Sequence, residues 1–135
     1  MTKTLVYHVP PSFYSQIARL ALCELGVEFE TALVPPGPPG YDAYLPWYLK
    51  LNPMGTVPTL VHGDEAVPDS RAILRYAEEH LSERALSPTD PVERAQSERW
   101  IDALYAISVR ELSYGSDRAR SMGAWVNRKR LGVLA

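Results

Sequence analysis

Two short stretches hold the residues able to do chemistry. The first is "SFYS", residues 12–15, with a hydroxyl at each end. It follows a strand-like run and two prolines, and a helix pattern begins directly after it. Thiol–disulfide exchange at such a place needs a protein thiolate. Ser12 and Ser15 supply none, and the single cysteine, Cys23, lies roughly two to three helical turns further along. Disulfide reduction by a protein cysteine is therefore set aside. A serine hydroxyl can still serve a sulfur that a ligand brings, and Ser12 is the candidate. It also reads as a plain cap or loop residue; Ser15 reads as a cap rather than a catalyst, and Tyr7 and Tyr14 compete for the hydroxyl role.

The second stretch is "NPMGTVPTLVHGDEAVPDS", residues 52–70. Pro58 stands directly before a strand rather than within it. Composition alone makes its peptide bond trans; a cis bond would end sheet pairing at Val57 and leave the Val57 N–H and C=O for an extended peptide ligand. Asp69 and Ser70 open a helix, where N–H groups receive a carboxylate and Asp69 an ammonium. The two features describe a site for a small zwitterionic peptide whose thiol would face Ser12. His8, His62 and His80 have no metal-ligand spacing, so no metal is expected. Cys23 reads as a small buried hydrophobe, and Trp47, Trp100 and Trp125 as core or interface packing.

The elements that must position these residues alternate. "KTLVYHV" predicts a strand at Thr4–His8. Ile17, Leu20, Ala21 and Leu25 recur at helical spacing over residues 15–25, and Gly26 ends the pattern. "VEFETALV" predicts a second strand, "PPGPPG" interrupts, and "YDAYLPWYLKLNP" predicts a short irregular helix ending near Asn52. A strand near residues 59–61, a turn at Gly63-Asp64, and a short strand at residues 66–67 follow. Asp69 or Ser70 then caps a helix carrying Ile73, Leu74, Ala77 and Leu81. The order implies a four-stranded mixed sheet with helices packed on it. "SERALSPTDP" has linker composition, after which one helix over residues 92–114 and another over 119–131 are predicted.

Bulk properties agree with a packed fold. The 135 residues are 46% hydrophobic and 22% charged. No apolar run is long enough to cross a bilayer, no secretion leader is evident, and one cysteine suits a reducing compartment; cytoplasm is the expectation. Residues 1–90 hold 6 Lys/Arg against 11 Asp/Glu, and residues 91–135 hold 8 against 5. The late basic residues, Arg118, Arg120, Arg128, Lys129 and Arg130, read as a solvated helix face rather than a nucleic-acid surface.

"LVYHVPPSFYSQIARLALCELGV", "LNPMGTVPTLV" and "PDSRAILRYAEEHL" resemble the glutathione transferase superfamily, whose first domain is thioredoxin-like. "VERAQSERWIDALY" resembles the first helix of its all-helical second domain. The resemblance implies a thioredoxin-like glutathione-binding domain at residues 1–82, a linker at 83–90, and the start of a truncated helical domain at 91–135. It implies that Val57 pairs with the cysteinyl part of glutathione, that Pro58 is the family's cis-proline, that Asp69 and Ser70 bind the γ-glutamyl end, and that Ser12 activates the thiol. Glutathione would be the co-substrate, a small electrophile its partner, and a homodimer the assembly. The alternative is a noncatalytic interaction module that docks a protein through its helical segment. Two departures stand out: "PPGPPG" offers no base for the glycine carboxylate, leaving Lys50, and Thr56 replaces a basic residue found in many members.

Overall fold

The computed structural model describes residues 2–35 and 42–115. The chain divides into two compact units, Met1–Leu86 and Ser87–Ala135. The first unit holds β1 (Thr4–His8), α1 (Phe13–Glu24), β2 (Glu30–Leu33), a 3-10 turn (Asp42–Tyr44), α2 (Pro46–Leu51), β3 (Thr59–His62), β4 (Glu65–Pro68) and α3 (Ser70–His80). The strand order is β2-β1-β3-β4, with β1 parallel to β2 and antiparallel to β3, and β3 antiparallel to β4. This is the mixed four-stranded thioredoxin-like sheet with flanking helices.

Side-chain alternation along β1 sends Thr4, Val6 and His8 to one face and Leu5 and Tyr7 to the other. On the first face, Val6 and Leu60 pack with Ala18, Leu22 and Leu25 from the first helix region and Ile73 and Ala77 of α3. Full burial of each large aliphatic side chain there contributes about 1.5–3 kcal/mol. On the second face, Val34, Ala43 and Tyr48 form a smaller cluster, with Tyr7 and Val57 against it.

Helix ends follow local chemistry. Gly26, at φ +71°, closes α1: its N–H bonds the Cys23 carbonyl and the Val27 N–H bonds Leu22, each at 3.0 Å. The start of α1 differs from expectation. Ser12, not Ser15, is the cap, and the helix begins at Phe13 because the Ser12 Oγ accepts the Ser15 N–H at 3.4 Å. Ser15 is instead fully buried, and its hydroxyl accepts the Val9 N–H at 3.4 Å. Cys23 is exposed, contrary to the buried hydrophobe expected; one residue past the core residue Leu22, it turns about 100° away from the sheet.

The second unit begins with α4 (Pro91–Ala106), capped by Asp90, which accepts from Val92 and Glu93 amides at 2.9 and 3.0 Å. A single helix to residue 114 was expected, but the helix breaks at Ile107 and α5 (Val109–Tyr114) starts anew. Ser108 causes the restart: in extended backbone, it accepts the Glu111 N–H at 3.2 Å. The helix expected at 119–131, its basic residues and Trp125, and most of "PPGPPG" lie outside the described residues.

Candidate functional site

Strand directions bring the sequence candidates to one edge of the sheet. His8 ends β1, Leu33 ends β2, Pro68 ends β4, and Thr59 begins β3; the parallel and antiparallel pairings place all four at the same end. The segments leaving that edge carry Ser12, Val57 with Pro58, and Asp69 with Ser70.

Ser12 stands at the N-terminus of the 12-residue α1, where unbonded amides concentrate partial positive charge. Its N–H donates to the Val9 carbonyl at 3.0 Å, closing a tight turn through Pro10 and Pro11. The Ser12 oxygen accepts the cap bond, which spends a lone pair and leaves the hydroxyl proton to donate elsewhere. Capping and donation to a sulfur are thus compatible in one residue. Of the competing hydroxyls, Tyr7 has its ring against Trp47 and Tyr48 at centroid distances of 5.5 and 5.8 Å on the α2 face. Tyr14 meets Phe13 edge-on at 5.4 Å.

The β1–β3 ladder pairs Thr4 with His62 through Tyr7 with Thr59. Continuing that register would set Val9 opposite Val57. Val9 is already committed, its N–H to Ser15 and its C=O to Ser12. Among the described residues no hydrogen bond engages the Val57 main chain, so the ladder stops and the half-buried Val57 keeps both groups available. The Val57–Pro58 peptide is cis.

A buried polar network, which sequence reading missed, holds this segment from behind. Asn52 and Thr59 are fully buried. The Asn52 side-chain amide donates to the Thr56 carbonyl at 2.9 Å and to the Thr56 and Thr59 hydroxyls at 3.1 Å, while its oxygen accepts the Met54 N–H at 3.0 Å. The Tyr48 hydroxyl donates to the Thr56 carbonyl at 2.6 Å and meets the Thr59 hydroxyl at 2.8 Å. Thr56, singled out as a missing base, is thereby a structural hub. The signal in the sequence was the Asn-Pro-x-Gly turn pattern at residues 52–55, whose Asn also folds back on its own backbone. Lys50 is exposed in the last turn of α2.

Asp69 joins the same edge through its N–H, which donates to the Pro58 carbonyl at 3.3 Å. It is the one non-glycine residue at positive φ among the described residues, at 76°. Its Oδ1 accepts the Arg71 and Ala72 amides at 2.8 and 3.3 Å. Neither bond uses Oδ2, and the residue is exposed. Ser70 follows at the first helical position and is buried. A cavity of about 410 Å³ opens beside Asp69, lined also by Val67, Ala72 and Tyr76.

His8 is buried, and burial first, then the Arg19 charge, hold its pKa below the usual 6.5. The His62 ring bonds the Thr4 hydroxyl at 2.9 Å, and the His80 ring lies against Tyr76, tilted by 55° with centroids 4.7 Å apart. Among the described residues no cluster of His, Cys, Asp and Glu could hold a metal ion, and no helix is long and apolar enough to cross a membrane. A larger cavity, about 680 Å³, opens at the opposite end of the sheet around Lys3, Val27, Phe29 and His62. Its rim ion pair, Lys3–Glu30 at 2.8 Å, is exposed. Size alone assigns it no chemistry, and the converging groups are at the other end. Trp47 and Trp100 are both substantially exposed rather than core residues, although Trp47 packs on Tyr7 and Tyr48.

The family model for the glutathione S-transferase N-terminal domain matches residues 11–80. Protein LigF of Sphingobium sp. is 31% identical over 114 residues, covering 81% of this chain and 44% of LigF. The theta class glutathione S-transferase of Xanthomonas axonopodis pv. citri, solved with glutathione bound, superposes with a TM-score of 0.68 at 32% identity, covering 78% of this chain and 50% of that one. Glutathione transferase E6 of Drosophila melanogaster gives a TM-score of 0.73 at 29% identity, covering 82% of this chain and 52% of that one. The chain thus spans about half the length of these relatives.

Proposed function

The chain belongs to the glutathione S-transferase family, and from that premise we propose that it binds glutathione and promotes attack of its thiolate on a small electrophile. The observation that carries the proposal is the convergence, at one sheet edge, of an unpaired main chain at Val57, a helix start at Asp69-Ser70, and the Ser12 hydroxyl at a second helix start. The Val57 N–H and C=O pair with the cysteinyl residue as a borrowed strand would. The Asp69 carboxylate takes the γ-glutamyl ammonium, and the amide and hydroxyl of Ser70 take its carboxylate.

That placement brings the ligand sulfur to Ser12. A free thiol near pKa 8.5 must fall by about one to two units to be mostly ionised at neutral pH, at about 1.4 kcal/mol per unit. One charge-assisted hydrogen bond of roughly 1.5–3 kcal/mol suffices, with the α1 dipole adding to it. The thiol proton leaves to solvent. The thiolate lone pair then forms a carbon–sulfur bond, and the leaving group departs with the electron pair of the bond it breaks. Ser12 remains un-ionised throughout.

Ser12→Gly tests this with the helix start preserved, since glycine at a cap costs only a few tenths of a kcal/mol. Expected is a fall of roughly 10- to 100-fold in kcat for glutathione conjugation of a chromogenic electrophile, the equivalent of the lost hydrogen bond, with Ser12→Thr retaining most activity. Full turnover in Ser12→Gly overturns the role of Ser12. A homodimer in the cytoplasm completes the reading, and light scattering on the purified chain tests the dimer. The exposed apolar side chains on α4, Val92, Trp100 and Leu104, favour one second reading, a module that docks a protein partner. Glutathione binding with no turnover on any electrophile would support it.

A further inference from the structure

Arg19 lies in the second turn of α1 and reaches back over the segment that leads into the helix. Its Nη2 donates to the Pro10 carbonyl at 3.3 Å, and its Nη1 bonds the Nδ1 of His8 at the end of β1. His8 is 7% exposed and its pKa is lowered. A neutral imidazole with its Nδ1 lone pair toward the guanidinium fits both facts.

The segment these bonds grip is short and poor in donors. Pro10 and Pro11 have no N–H, so the 9–12 turn makes only the Ser12-to-Val9 bond of its own main chain. Ser15 ties the Val9 amide from one side. Arg19 ties the Pro10 carbonyl and the strand end from the other. The planar guanidinium fork can hold both points at once, which a lysine ammonium cannot do with the same fixed geometry. Ser12 lies two residues beyond this double tie, with only the rigid Pro11 between.

We infer that Arg19 is a positioning residue: by bridging His8 and the Pro10 carbonyl it sets where the Ser12 hydroxyl stands relative to the ligand sulfur. The inference rests on the proposed role of Ser12 in the site above. Arg19 touches neither sulfur nor electrophile, and acts only through the turn. Val57 and Asp69, which hold the tripeptide itself, are anchored by the Asn52 network and by Pro58, independently of Arg19. Loss of Arg19 should therefore disturb thiolate formation and spare tripeptide affinity.

The experiment is a double-mutant cycle on the full chain. The thiolate absorbance of bound glutathione is titrated against pH in wild type, Ser12→Gly, Arg19→Met and the double variant, and S-methylglutathione affinity is measured beside it. Expected is an upward shift of the bound thiol by about one unit in Arg19→Met, a tenfold loss of thiolate preference, with S-methylglutathione affinity unchanged within twofold. The double variant should show no more than the Ser12→Gly shift, because Arg19 has nothing left to position. Arg19→Lys should fall between wild type and Arg19→Met, and it carries the test alone if the methionine variant does not fold. An additive double variant, or equal losses for thiol and S-methyl ligands, overturns the inference. A Ser12→Gly protein with an unshifted thiol overturns the underlying site reading instead, so the two failures are told apart.

Discussion

The Asn52 side-chain amide and the Thr59 hydroxyl meet at 3.1 Å in a fully buried pair. Between them runs the turn that ends at Val57, so the first residue of β3 is bolted to the end of α2 across the segment that would receive a ligand. The same amide also satisfies the Thr56 carbonyl, and the Asn52 oxygen satisfies the Met54 N–H.

Asn52→Ala strips several partners from a buried network at once. Each buried group left unsatisfied costs about 1–3 kcal/mol, so the unfolding midpoint in urea should fall by an amount equivalent to about 2–4 kcal/mol, with glutathione affinity falling alongside. A change below about 0.5 kcal/mol, within the range of an ordinary surface substitution, would mean that the network does not hold the turn.

Gly55 sits at φ +61° with the Tyr44 ring directly over it. An added Cβ would lie 2.5 Å from Tyr44 Cε1, 2.7 Å from Cδ1 and 3.2 Å from the Ala43 carbonyl oxygen. Gly55→Ala should lose about 1–2 kcal/mol from backbone conformation alone, plus the displacement of Tyr44. Pairing it with Tyr44→Leu should recover the steric part only, which a comparison of denaturation midpoints resolves.

Asp69 combines a cap with an unfavourable backbone at φ 76°. Glycine removes roughly 1–3 kcal/mol of conformational strain and sacrifices only a few tenths at a cap. Asp69→Gly should therefore match or exceed the wild type in thermal stability, while glutathione affinity falls at least about tenfold for want of a charge-assisted partner. A less stable Asp69→Gly protein with intact affinity would contradict both halves.

The depressed pKa of His8, caused first by burial and then by Arg19, has a definite sign. Above the unfolded value of 6.5 both states hold a neutral ring, and the full stability is present. As pH falls below 6.5 the unfolded chain takes up the proton first, so stability drops until the folded pKa is passed. Thermal melts should show a slope below pH 6.5 that flattens in His8→Asn, where no titrating ring remains. An identical slope in the variant would assign it to carboxylates.

Local chemistry was legible in the sequence. A run of strand formers defined β1, the spacing of Ala21 and Leu25 with Gly26 behind them marked α1 and its end, and proline before a strand with Asp-Ser before a helix marked the candidate site residues. Each depends on neighbours within a turn or two. Even the break after Ile107 had a local sign, the Ser108-x-x-Glu111 pattern, overridden in the reading by the apolar stripe that runs across it.

Which of those residues meet, and what holds them, was decided by the tertiary structure. His8 and Arg19 are eleven positions apart on a strand and a helix, as are Tyr48 and Thr59, and no pattern of residue types announces such pairs. Ser12, Val57 and Asp69 share an edge because β3 runs against both its neighbours. The exposure of Cys23 turns on which arc of α1 lies over the sheet. Side-chain periodicity encodes the element and its buried face; only closure of the sheet and desolvation of its polar groups dictate the partner each group must find.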